Sequence, residues 1–290
     1  MIPAQASRTA YRVALRRAAH QLLDAPPVFA DPVAIDILGP ETAAALRANP
    51  QSFDDSRSGA VMRAFMAVRA RFVEEQLAQA RAAGVRQLVI LGAGLDTFAY
   101  RSRLDDPLLV VWEVDHPATQ AWKREMLAAA GIAAPRELTF VAIDFQREAL
   151  ADKLAAAGFD ARAGAVFSWL GVTQYLAPDD IFATLRYVAG ATAAGGGVAF
   201  DYSIAPHLLS MTERWAYEAL AARVRAAGEP WLSAFVPDEL VAAARACGFS
   251  VVRDVGPDEL HARYLTGRAD QLRLRGLARL LWAGAAAYCF

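Results

Sequence analysis

Apolar positions along this chain follow two periods. Nearly unbroken apolar runs at Gln87–Gly92 (QLVILG), Leu109–Asp115 (LVVWEVD), Leu138–Asp144 (LTFVAID), Gly164–Leu170 (GAVFSWL) and Gly197–Ser203 (GVAFDYS) predict strands covered on both faces, as in a parallel sheet. Two further runs, Phe249–Val255 and Arg263–Gly267, bring the expected strands to seven. Between them, apolar residues three and four apart predict helices at Pro117–Ala130, Gln146–Ala157, Pro178–Ala194, Leu208–Ala227 and Pro237–Cys247. Alternation at this spacing predicts an open, doubly wound α/β sheet. Residues 1–80 carry no strand signal: Ser7–Leu23 and Val61–Ala83 read as helices, separated by the proline-punctuated Asp24–Pro32. The expectation is one domain, with a helical cap (1–80), a core (81–270) and a tail (271–290). In the tail, leucines at 274, 277 and 281 lie among arginines at 273, 275 and 279, so Leu272–Phe290 reads as an amphipathic helix or a packed end.

Composition narrows the function classes. The chain has 290 residues, 56% of them hydrophobic, and a mean hydropathy of +0.22, too apolar for a disordered chain. Thirty basic residues against 31 acidic ones give a net charge of −1, without the basic footprint of a nucleic-acid binder. Cys247 and Cys289 are isolated and suggest neither disulfides nor a thiolate metal site. The start, MIPAQASRTAYR, lacks the apolar core of a signal peptide, and the apolar run Leu280–Phe290 is too short to span a membrane. The reading is a cytoplasmic protein acting away from membranes.

The chemistry concentrates at Val89–Thr97 (VILGAGLDT). A buried strand ends in Gly92-Ala93-Gly94, where glycine permits a sharp turn and close approach of backbone to a ligand. Glu113 and Asp115 close the next strand, where an acidic residue commonly takes the hydroxyls of an adenosine ribose. A dinucleotide fingerprint would place a third glycine at Thr97 and would not set Asp96 near a pyrophosphate. A nucleoside with a cationic remainder fits better, and S-adenosylmethionine is one. Asp96 reads equally well as a helix N-cap.

Leu91–Arg101 (LGAGLDTFAYR) and Trp112–Pro117 (WEVDHP) resemble the leucine carboxyl methyltransferase family, most closely its bacterial, largely mycobacterial branch. The likeness covers most of the chain. It includes Ser7–His20 and Phe29–Pro32 in the cap, and Arg69–Leu77 (RARFVEEQL) in the helix before the first strand. It implies a Rossmann-like fold of the class I methyltransferase type, S-adenosylmethionine as cofactor, and Arg71, or less securely Arg69, on the methionine carboxylate. It also implies Glu113 or Asp115 at the ribose, and Asp144 and Phe145 around the adenine. In Ser168–Leu176 (SWLGVTQYL), Gly171, Tyr175 and Leu176 match the family pattern, whereas Leu170 stands where relatives carry a glutamate near the cofactor's amino group.

Methyl transfer from a sulfonium needs alignment above all. A carboxylate acceptor is already an anion at pH 7, while a hydroxyl gains from a base. Tyr175, Tyr202 and His116 are the candidates to face the reaction, and four dispersed histidines argue against a metal. Arg12, Arg16 and Arg17 read as a solvated helix face. The expected activity is O-methylation of a carboxylate or hydroxyl on a small molecule or peptide end. A non-catalytic S-adenosylmethionine-binding protein, a nicotinamide-dependent oxidoreductase, and methylation at nitrogen or carbon are the alternatives.

Overall fold

The computed structural model describes residues 7–53, 57–101, 108–145 and 147–285. Cys289 and the last residues of the apolar tail lie outside that range. In chain order the elements are α1 (Arg8–Leu23), α2 (Pro40–Ala48), α3 (Arg57–Ala82), β1 (Gln87–Leu91), α4 (Phe98–Arg101), β2 (Val110–Asp115), α5 (Pro117–Ala129), β3 (Leu138–Ala142), α6 (Leu150–Ala156), β4 (Ala165–Trp169), α7 (Pro178–Ala191), β5 (Gly196–Ser203), α8 (Met211–Ala226), α9 (Pro237–Ala246), β6 (Val251–Val255), α10 (Pro257–Tyr264) and β7 (Ala278–Gly284). Local signals set many boundaries. Proline opens α5, α7, α9 and α10, where its missing N–H costs no helical bond. Ser7 caps α1 by accepting from Ala10 N–H at 3.1 Å, and Ser210 and Glu213 form a capping box on α8.

The seven strands form one sheet in the order β3-β2-β1-β4-β5-β7-β6. The first five are parallel, and β7 runs antiparallel to both its neighbours. This is the Rossmann-like doubly wound arrangement expected. Alternate residues of β1 serve opposite faces: Leu88 and Ile90 join the cluster containing Phe72 and Leu77 of α3, while Val89 and Leu91 join Phe167, Ile181 and Leu185. The cap lies on the first face. Buried His20 accepts the Val28 N–H on Nε2 at 2.9 Å and meets Asp24 through Nδ1 at 2.5 Å, and Arg63 of α3 binds Asp24 at 2.7 and 2.8 Å. Burial opposes the Asp24 charge, but Arg63 and His20 outweigh it and hold the carboxyl at about 2.

The tail differs from the expectation. Residues 263–267 end α10 and turn, whereas the seventh strand is 278–284, inserted between β5 and β6. Leu280 to Ala283 are completely buried, and Arg279 reaches out to Asp254 at 2.7 Å. Trp282 packs where Gly197 and Gly284 leave room: a Cβ on Gly197 would come within 2.6 Å of its ring. Trp282→Ala is expected to destabilise the fold by about 3–5 kcal/mol in chemical denaturation. An unchanged midpoint would remove the tail from the core.

Candidate functional site

In this sheet the chain leaves β1 toward β2 and β3, then returns past β1 to β4 and β5. The two loops after β1 and β4 therefore part company, and a crevice opens outside the carboxyl ends of the strands. A cavity of about 430 Å³ lies there, within the range of small-molecule sites. Its walls are the loops after β1, β2, β3 and β4, one face each of α1 and α3, and residues 228–232 after α8.

Gly92, Ala93 and Gly94 line it, as read from the sequence. Gly92 (φ 66°) and Gly94 (φ 47°) both occupy the left-handed region. Their missing side chains also make room for protein. A Cβ on Gly92 would collide with Val172, and one on Gly94 would sit 3.0 Å from Ala10 Cβ of α1. Both main-chain N–H groups of Gly92 and Ala93 donate to Val114 O, at 2.8 and 3.1 Å, which locks the loop to β2. Asp96 lines the cavity and also caps α4, accepting from Phe98 N–H at 2.8 Å.

The two acidic candidates on β2 separate. Asp115 faces the cavity, accepting from the Gly94 and His116 N–H groups at 2.6 Å each. Burial raises its carboxyl above the usual range against those two donors. Glu113 lies off the cavity, fully buried against Lys123 Nζ at 2.6 Å and the Tyr100 hydroxyl at 3.3 Å; burial pushes its carboxyl upward despite the lysine. Phe145, Leu170, Tyr175 and His116 all lie on the cavity wall, with His116 capping α5 through Nδ1. Asp144 lies off it, its N–H donating to Glu148. Tyr202 also lies off it, 1% exposed, with its hydroxyl donating to Asp254 at 2.8 Å and its phenol pushed upward by burial.

The arginines are redistributed. Arg71 projects away from the cavity, pairing with Glu75 at 2.9 Å and lying over Tyr264 of α10. Arg69 lines the cavity, 5% exposed, and donates to Asp201 Oδ2 at 2.7 Å; Asp201 Oδ1 accepts from Gly171 N–H at 2.5 Å. Two residues apart on a helix is about 200° of rotation, so only one of them can face the sheet. Arg17, expected on a solvated face, is buried on the cavity wall against Asp31 at 2.5 Å. Glu229, with Thr9 donating to it from α1, completes the wall and had no sequence signal of its own.

A crevice at the switch point of a seven-stranded sheet with an antiparallel β7, bearing a glycine loop and an acidic residue at the end of β2, defines the class of S-adenosylmethionine-dependent methyltransferases. Within that class the chain belongs to the leucine carboxyl methyltransferase family, whose model matches residues 10–189. It is 28% identical over 287 residues to YktD of Bacillus subtilis, named as an inferred S-adenosyl-L-methionine-dependent methyltransferase; the match covers 92% of this chain and 94% of YktD. A similarly named protein of Mycobacterium marinum is 40% identical over 157 residues, 51% of this chain and 48% of the relative. The fold is shared with a solved structure described as an inferred methyltransferase from Thermobifida fusca (TM-score 0.55, 18% identity, 85% of this chain and 89% of that one). It is shared too with a solved protein from Streptomyces avermitilis (TM-score 0.55, 15% identity, 98% of this chain and 100% of that one).

Because α1 packs directly on the glycine loop, Gly94→Val is expected to lower stability by about 1–3 kcal/mol through overpacking against Ala10, before any ligand is added. Wild-type thermal unfolding of that variant would show that α1 does not hold the loop.

Proposed function

We propose that the cavity holds S-adenosylmethionine and that the protein transfers its methyl group to an oxygen, a carboxylate or hydroxyl, of a small molecule or peptide end. The observation that carries this reading is the charge of the wall. Three carboxylates, Asp96, Asp115 and Glu229, line the cavity, while its two arginines are already paired, Arg17 with Asp31 and Arg69 with Asp201. Such a wall favours a ligand with cationic groups and disfavours a pyrophosphate. That counts for S-adenosylmethionine, with its sulfonium and ammonium, and against a nicotinamide dinucleotide.

The residues present fit this cofactor. Asp115 can accept from ribose hydroxyls at the end of β2, and Phe145, half-exposed on the wall, offers an apolar face to a base. Arg69, held in place by Asp201, is the cation available to the methionine carboxylate in place of Arg71. When bound, the cofactor supplies the activated methyl carbon. The chain's part is to align the acceptor, with α1 and residues 228–232 forming part of the cavity wall. A carboxylate acceptor needs no proton removed. For a hydroxyl acceptor, Tyr175 and His116 are the wall residues able to take or relay the proton, whereas Tyr202 lies off the cavity with its hydroxyl on Asp254.

Calorimetric titration with S-adenosylmethionine, S-adenosylhomocysteine and NADH is expected to give binding of the first two only; NADH binding alone would overturn the reading. Arg69→Ala is expected to weaken S-adenosylhomocysteine at least about tenfold, the scale of a lost charged hydrogen bond, while Arg71→Ala leaves it unchanged. The reverse pattern would return the role to Arg71.

A further inference from the structure

We infer that Glu229 supplies the counter-charge for the ammonium end of the cofactor, reaching it from the segment after α8 that lines the cavity. The inference rests on the reading of the cavity as an S-adenosylmethionine site. It follows from the acceptor capacity left on the wall. Asp115 carries one backbone N–H on each oxygen, at 2.6 Å each, and its remaining lone pairs are the ones given to the ribose hydroxyls. Asp96 uses Oδ1 on Phe98 N–H, and its Oδ2 faces Arg17 at 3.7 Å. The end of β4 offers the apolar Leu170 at the wall. Glu229 differs: its Oε2 accepts from the Thr9 hydroxyl, and among the described residues Oε1 accepts from none.

The segment that carries Glu229 is fixed at both ends. Glu229 N–H donates to Val224 O at 3.0 Å, closing α8, and Leu232 N–H donates to Gln174 O at 2.7 Å. Ser233 Oγ donates to Thr173 O at 2.9 Å, so the segment is tied to the same loop after β4 that carries Tyr175. This carboxylate, half-buried beside a cavity, has no ion-pair partner among the described residues. An ammonium group brings three donors and a full charge, and a carboxylate has room for it alongside the Thr9 hydroxyl. Charge-assisted hydrogen bonds of this kind are about twice as strong as neutral ones.

Three variants and two ligands separate the outcomes. S-adenosylhomocysteine carries the ammonium; 5′-methylthioadenosine keeps the nucleoside and thioether and lacks it. Glu229→Gln is expected to weaken S-adenosylhomocysteine about tenfold by calorimetry and to leave 5′-methylthioadenosine within about twofold, with the melting temperature unchanged. Equal effects on both ligands, or none on either, would overturn the assignment. Thr9→Val removes the protein partner and keeps the carboxylate, so it is expected to bind S-adenosylhomocysteine no more weakly than the parent. A loss as large as that of Glu229→Gln would mean that Glu229 acts by holding α1 closed and not by meeting the ligand. Arg71→Ala serves as the control that should change neither ligand. If the parent protein bound neither nucleoside, the reading of the cavity itself would fall, and the role of Glu229 with it.

Discussion

The buried cluster around Asp31 is the constraint on which the site depends. Arg17 of α1 donates to Asp31 at 2.5 Å and to Thr97; Thr97 donates to Asp31 at 2.6 Å; and Arg101 approaches Asp31 at 3.7 Å while pairing with Glu74 of α3. One carboxylate thus joins the cap helix, the loop that follows it, and the residues immediately after the glycine loop. Burial would raise its carboxyl, but the two guanidiniums and the Thr97 hydroxyl hold it below the usual range. Its contribution is therefore present above the ordinary aspartate range and is lost as the pH falls through it. Removing Asp31 would leave the buried Arg17 with only the more distant Asp96 to compensate it, which costs more than the pair contributes. The cap is consequently a wall of the cavity, fixed in position by charge, and not an appendage on a complete core.

Thr97 shows how a sequence signal can be right for a partial reason. Its side chain denies the loop a third glycine, which speaks against a pyrophosphate site. In the folded chain the same hydroxyl is a hub between Arg17, Arg101 and Asp31. Gly92 and Gly94 behave likewise. The sharp turn they make was legible from their place after β1, but their bareness is required by Val172 and Ala10 before any ligand arrives.

The five parallel strands and the helices between them were legible because each lies in an unbroken apolar run of the right length. The tail was not. Its leucines at 274, 277 and 281 satisfy a helical spacing, and Arg279 looks like part of a polar face. Only the sheet supplies the reason for a strand: β5 and β6 leave a gap that an antiparallel segment must fill, and Asp254 stands opposite to receive Arg279. The Arg69–Arg71 ambiguity has the same origin. Local pattern fixes that α3 is a helix, but which side faces the sheet is set by distant groups, Asp201 for Arg69 and Glu75 with Tyr264 for Arg71. Glu113 and Asp115 lie two residues apart on the same face of β2, but Lys123 of α5 and Tyr100 claim the first, while the Gly94 and His116 N–H groups hold the second at the cavity.

Charge then decides what the cavity can hold. Three complete acid–base pairs, Arg17–Asp31, Arg69–Asp201 and Lys123–Glu113, lie in or behind the wall and fix the elements that form it. Of the three carboxylates on the cavity surface, Asp96 faces Arg17 at 3.7 Å, while Asp115 and Glu229 have no ion-pair partner among the described residues. A site built this way has its rigidity and its selectivity from one source: the paired charges set positions, and the carboxylates in excess set the sign of the ligand. Reaction at a sulfonium asks for both, because the transferred carbon needs alignment more than it needs acid or base. That accounts for a cavity with ample charge and so little that resembles a catalytic triad or a metal centre among the described residues.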